Sequence, residues 1–219
     1  MKTNANRASW VAAFAALACL LGAPAYAADA PQPPDEVVKT TTERLQKEIA
    51  AREKEFRADP KKLNAFVEEV IVPKFDTKYI AQLILARHWK AASADQRTRF
   101  QAAFKDMLVN SYANALVEYH TQVKAEWQPL RMAKDATDVT VNSRLIREGK
   151  PPLPIGFAMR LKDGEWKVYD IVSENLSLVT SFRSQVNSEI KRTSLDALIQ
   201  RLESGQKLEP EAQPGQKKG

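Results

Sequence analysis

Two histidines, His88 and His120, are the first places to look for proton transfer or metal binding in a chain of 219 residues. Neither lies in a metal-spaced cluster such as His-Glu-x-x-His or His-x-His. A lone His beside Trp89 or Tyr119 reads instead as a helix-end or packing residue. Asp170 stands in a mostly apolar stretch and is a candidate buried acid; the alternative is that it pairs with an Arg or caps a neighbouring element. Glu68, Glu69 and Glu118 fall on helix faces that read as solvated. The chain has no Gly-x-Ser-x-Gly elbow, phosphate-cradling glycine loop or dinucleotide fingerprint. Its one cysteine, Cys19, lies in the leader described next. Catalytic chemistry is therefore sparse.

Residues 1–27 read as a secretory signal peptide. Lys2 and Arg7 supply the positive start, Trp10 to Leu21 a short apolar run, and Ala25-Tyr26-Ala27 a small-x-small cleavage site. Cleavage leaves a chain without cysteine, destined for an oxidising compartment yet without disulfides. Without Lys2 and Arg7 the 33 basic residues fall to 31 against 27 acidic, and the net charge from +6 to +4. The cations are spread singly among Glu residues, with no basic and aromatic stripe, so nucleic acid is not an expected partner. Residues 28–203 read as one domain and 204–219, with Pro210, Pro214 and Gly215, as a disordered tail.

The elements that must position any site are mostly helical at first. Val37, Val38, Leu45, Ile49 and Phe56 recur at helical spacing, and Asp59-Pro60 restarts the helix with a cap and a first-turn proline. Leu63, Phe66, Val67, Val70 and Ile71 form the next apolar stripe; Asp76 caps a third helix with Tyr79, Ile80, Leu83 and Ile84 inward. Ser93 with Gln96 is a capping box opening the longest helix, lined by Phe100, Phe104, Leu108, Tyr112, Leu116 and Tyr119.

Near Val123 the period changes to two. Strands are expected at Val123–Trp127 and Val139–Leu145, then in a hairpin whose arms, Ile155–Lys162 and Trp166–Val172, meet at Asp163-Gly164. Gly149 to Pro154, with three prolines, is expected to be a connection outside the ladder. Leu176 and Leu178 lead into a last helical pair. The fold class is α+β, with helices packed on a four-stranded antiparallel sheet. Helix on twisted sheet leaves room for a greasy cavity, although the same apolar stripes serve an ordinary core equally well.

Several short runs, taken in order, resemble the MlaC family. They are Ile71-Val72-Pro73-x-Phe75-Asp76, Leu85-Ala86-x-x-Trp89, Ser93-x-x-Gln96-Arg97-x-x-Phe100-x-x-x-Phe104, Tyr112, Gly164-x-Trp166-x-Val168-x-Asp170-Ile171 and Leu176-Ser177-Leu178. The resemblance runs from about Val37 to Leu202. Ala86 and Thr193 depart from it, each standing where the family pattern carries Gly; the first departure is expected to matter little, the second to affect the joint between the last helices.

The resemblance implies a periplasmic phospholipid carrier without catalysis, its sheet strongly curved and acyl chains held in an apolar cavity between sheet and helices. It also implies partners: an outer-membrane lipoprotein and porin complex, and an inner-membrane ABC transporter with an MCE-domain subunit. No cofactor is implied, only phospholipid as cargo. Strand phase and helical stripe assign the lining to Val70, Tyr79, Leu83, Phe104, Leu108 and Tyr112 on the helices and to Val141, Phe157, Met159, Trp166 and Val168 on the sheet. The alternative reading is a periplasmic chaperone or adaptor for unfolded polypeptide, suggested by basic charge and long helices.

Overall fold

The computed structural model describes residues 31–208, so the expected signal peptide and the last eleven residues lie outside the described chain. Helix α1 (Pro34–Ala58) starts on a first-turn proline and kinks where Arg52 leaves helical geometry. Helix α2 (Pro60–Val70) follows at once, its N-terminus capped by the Asp59 carboxylate accepting from the Lys61 amide. A single 3₁₀ turn, Val72–Lys74, leads to α3 (Thr77–Leu85), the short α4 (Arg87–Ala91) and the 26-residue α5 (Ala94–Tyr119). Both bonds of the expected capping box form at Ser93 and Gln96.

The sheet has strands β1 (Val123–Trp127), β2 (Asp138–Arg147), β3 (Lys150–Lys162), β4 (Glu165–Ser173) and β5 (Leu176–Ser177), antiparallel and in chain order across the sheet. Helices α6 (Leu178–Arg192) and α7 (Leu195–Glu203) close the chain. The expected α+β class holds, with five strands rather than four because Leu176 and Ser177 pair with the end of β4.

Two sequence expectations are corrected in the strands. Residues 150–154 belong to β3 despite Pro151, Pro152 and Pro154: Leu153 pairs with Leu145 and Pro154 with Arg144. Strand β4 begins to flank β3 only at Ile155, so along the proline run β3 is an edge and the missing donors break no second ladder. The alternation of β4 is also interrupted. Ala158 pairs with Asp170 while Met159 pairs with Val168, which leaves Tyr169 as the extra residue of a bulge. At the hairpin tip Asp163 and Gly164 both take positive φ, 51° and 79°, as a two-residue turn of this hand requires.

Apolar packing falls into three clusters. One joins α3, α5, α6 and α7 around Leu85, Phe100, Val186 and Leu198. A second joins α1, α2 and α5 around Ile49, Phe56, Leu63 and Val117. The third lies on the sheet, where Val37 and Val38 of α1 cover Val141, Met159, Trp166 and Val168. Helix α1 is thus shared, its first turns on the sheet and its last on other helices. The expected stripe of α5 is buried only at Phe100 and Phe104. Farther along, Val109, Ala113 and Val117 face inward, while Tyr112 and Tyr119 are exposed. The buried side rotates because α5 meets α3, α6 and α7 in its first half and α1 and α2 in its second. The packed chain continues past α7 to Leu208, which is 2% exposed in the first cluster.

Candidate functional site

Residues opposite one another in an antiparallel ladder share a face, so the register assigns every strand residue to a side. Trp127, Ser143 and Ile155 form one row; Ala125, Leu145 and Leu153 the next; Val141, Phe157 and Ile171 another; Val139, Met159 and Val168 a fourth. This face is almost wholly apolar. The opposite face carries Lys124, Glu126, Thr140, Asn142, Arg144, Arg160 and Lys162. Gly156 lies on that polar side, where a Cβ would come within 3.1 Å of the Thr140 methyl and 3.2 Å of Asn142 Oδ1, close enough that those two side chains would have to give way slightly.

The apolar face is larger than its cover. Val141, Met159, Trp166 and Val168 are buried beneath Val37, Val38 and Phe75. Toward the β2–β3 turn, Trp127, Leu145, Leu153, Ile155, Phe157 and Ile171 are only half-buried. Trp127 and Phe157 lean together with centroids 6.1 Å apart. The middle of α1 reaches the start of β1, Gln46 Nε2 donating to the Val123 carbonyl at 3.5 Å. An apolar floor, buried at one end and half-open at the other, has the character that a long apolar ligand requires.

The eleven lining residues expected from sequence occupy several places. Val141, Phe157, Met159, Trp166 and Val168 come together on the sheet. Val70 packs in the α1–α2–α5 cluster, and Leu83, Phe104 and Leu108 in the α3–α5–α6–α7 cluster. Tyr112 is 46% exposed on α5. Tyr79 lies beneath the Arg160 guanidinium, 4.1 Å from its ring centroid, and edge-on to Tyr169 at 5.5 Å. Leu145, Leu153, Ile155 and Ile171 are absent from that set yet share the floor. Their signal was the period-two pattern of β2 and β3, obscured by the prolines and by the bulge in β4.

The bulge also settles Asp170. In regular alternation it would stand beside Trp166 and Val168 on the apolar floor. The extra residue turns it to the side of Ala158, where its carboxylate accepts from the Val179 amide at 3.0 Å and from the Ser177 hydroxyl, capping α6. Tyr169, the bulge residue, donates to Asp138 at 3.0 Å, and burial together with that carboxylate pushes its phenol up to about 12. His120 Nδ1 lies 2.8 Å from the Val117 carbonyl at the end of α5, and His88 Nε2 lies 3.1 Å from Asn187 Oδ1. Among the described residues no three His, Cys, Asp or Glu converge as a metal site.

A cleft of about 620 Å³ between α2, α5 and α7 differs in character, with Glu68, Arg99, Asp106, Glu203 and Lys207 on its walls. Most of its charges are matched: Arg99 holds Glu203 through two bonds and Lys105 holds Glu68 and Asp106. Charged walls do not suit hydrocarbon. The described helices include none long and apolar enough to cross a membrane.

A family model described as MlaC protein matches residues 39–204. The intermembrane phospholipid transport system binding protein MlaC of Haemophilus influenzae is 25% identical over 173 residues, 78% of this chain and 80% of that protein. Toluene tolerance protein ttg2D of Pseudomonas putida is 26% identical over 168 residues, 76% of this chain and 77% of that protein. In three dimensions the chain is similar to the phospholipid-binding protein from Ralstonia solanacearum, solved in complex with a phospholipid. The TM-score is 0.72 at 28% identity, covering 80% of this chain and 97% of that one.

Proposed function

This chain belongs to the MlaC family, and from that membership we propose that it is a periplasmic phospholipid carrier. Residues 1–27 direct export and are removed, leaving a domain without cysteine. The acyl chains lie on the half-covered apolar floor of the sheet, entering past Leu153, Ile155 and Phe157, while the headgroup stays in water. That floor is the observation on which the reading rests. No bond is made or broken; the work is desolvation.

The magnitude explains why a carrier is needed. Exposing ~30 methylenes of a diacyl lipid to water at ~0.8 kcal/mol each costs on the order of 24 kcal/mol, which makes unaided passage between two membranes very slow. A protein surface that replaces the bilayer for the tails removes most of that barrier without regard to headgroup. The carrier reading extends to an outer-membrane lipoprotein and porin complex at one end and an inner-membrane ABC transporter with an MCE-domain subunit at the other.

Native mass spectrometry of the purified protein, followed by denaturation and extraction, tests the reading. Release of a diacyl phospholipid at fixed stoichiometry is expected. A protein that carries no lipid and takes none from phosphatidylglycerol vesicles overturns it and favours a polypeptide-binding role.

A further inference from the structure

A second, smaller site lies at the corner between α3 and α4. The chain turns there at Ala86, whose φ of 46° and ψ of −114° bring the first residues of α4 against α6. A cavity of about 160 Å³ opens between them, with Arg87, His88, Arg183, Ser184 and Asn187 among its walls and no acidic residue. The polar groups are organised around one neutral acceptor. Asn187 Oδ1 accepts from Arg87 Nε at 3.1 Å and Nη2 at 2.7 Å, and His88 Nε2 stands 3.1 Å from the same oxygen. An amide oxygen can only accept, so His88 presents its Nε2–H there. Arg183 is oriented independently, its Nε donating at 2.8 Å to the Leu83 carbonyl in the last turn of α3.

Charge balance gives this arrangement its meaning. Many of the arginines meet carboxylates, among them Arg44 with Glu69, Arg57 with Glu53, Arg99 with Glu203, and Arg192 and Arg201 with Glu189, whereas others, such as Arg97, donate to backbone carbonyls. At this corner Arg87 and His88 meet the neutral Asn187, and Arg183 meets a backbone carbonyl. Asn187 holds Arg87 and His88 in place without cancelling the charge of the guanidinium, where an Asp would have done both. Two guanidinium groups on the walls of one small cavity keep N–H donors beyond those spent on Asn187 and Leu83, and such charged donors are what an oxyanion binds.

We infer that this corner is a binding site for a phosphate group, held by Arg87 and Arg183 and framed by His88 and Asn187. The site is separate from the apolar floor and does not depend on the carrier reading. The phosphate comes either from a free or soluble phosphate compound or from a phospholipid headgroup at a membrane surface.

The test follows the arginine Nε–Hε signals of the purified protein by NMR while inorganic phosphate is added, with sodium chloride at matched ionic strength as control. Saturable shifts at Arg87 and Arg183, absent in chloride, are expected. Arg87→Gln should weaken binding at least about tenfold, the loss of a charge-assisted contact. Asn187→Asp keeps the acceptor oxygen but introduces the missing negative charge, so it should leave thermal stability intact and abolish phosphate binding. Phosphatidylglycerol vesicles separate the sources. Vesicles that compete with phosphate for the same two signals identify a headgroup, and vesicles that leave the signals unmoved while phosphate saturates identify free phosphate. Shifts that never saturate, or that persist unchanged in Asn187→Asp, overturn the site, as does vesicle binding without any phosphate response.

Discussion

Asp76 and Lys162 meet across the boundary between helices and sheet, Lys162 Nζ donating to Asp76 Oδ1 at 3.1 Å. The same oxygen accepts from the Tyr79 amide at 3.1 Å and so caps α3, and Arg160 stands 3.7 Å from the other. Asp76 is 4% exposed. One carboxylate therefore fixes the start of α3 to the end of β3. Its backbone amide adds a bond to the Val168 carbonyl of β4.

Replacement of Asp76 separates these roles. Asp76→Asn keeps an oxygen that can cap and should cost about 1 kcal/mol, whereas Asp76→Ala leaves the Tyr79 amide and two cations without their acceptor and should cost about 3 kcal/mol. Urea unfolding midpoints of the two variants check the order; equal losses would assign the whole effect to the ion pairs.

Ala86 adopts a backbone region that favours Gly, and the Leu-x-x-x-Trp stretch expected Gly at that position. The departure is not immaterial. Ala86→Gly relieves strain at the α3–α4 corner and, after allowing for the added freedom of the unfolded chain, should stabilise by about 1 kcal/mol. A thermal melt reads the shift, and a lower melting temperature would show that the corner is not strained.

On the apolar floor, burial distinguishes core from binding surface. Ile155→Glu and Leu153→Glu fall on half-buried positions and should yield folded protein that no longer copurifies with lipid. Met159 is fully buried, and Met159→Glu should unfold the sheet. Circular dichroism with lipid extraction resolves the two outcomes. Lipid retained in both Ile155→Glu and Leu153→Glu would remove this end of the floor from the site.

Acid should weaken the fold through its paired carboxylates. Hydrogen bonds from Arg52 and Lys62 hold Glu55 down at about 2, below its ordinary 4.5, and Arg192 and Arg201 lower Glu189 in the same direction. A depressed folded-state value means stability that is fully present above about 4.5 and lost as pH falls toward about 2. Urea midpoints should be flat from neutral pH to about 5 and decline below it. Because Glu55 is only partly buried, high salt should flatten the decline.

Local chemistry was legible in the residues themselves. Asp59-Pro60, Asp76 and the Ser93 box announced helix starts, because a cap needs only groups within three residues. Asp163-Gly164 announced the hairpin for the same reason. The ordered motifs from Ile71 to Leu178 carried the family, and with it the fold class.

Tertiary structure decided which apolar groups are core and which form a surface. Periodicity says that Phe100 and Tyr112 lie on a stripe of α5, yet the stripe's burial depends on which helices arrive, and those contacts join residues far apart in sequence. The proline run entered β3 because β4 flanks that strand only from Ile155 onward. The bulge at Tyr169 reversed Asp170, a shift of one residue that exchanges faces and that no period-two pattern reveals. The meeting of Arg87 with Asn187, 100 positions apart, was likewise beyond local reading. Propensity and capping are short-range and written in the sequence, whereas cover, register and convergence of charge are properties of chains brought together.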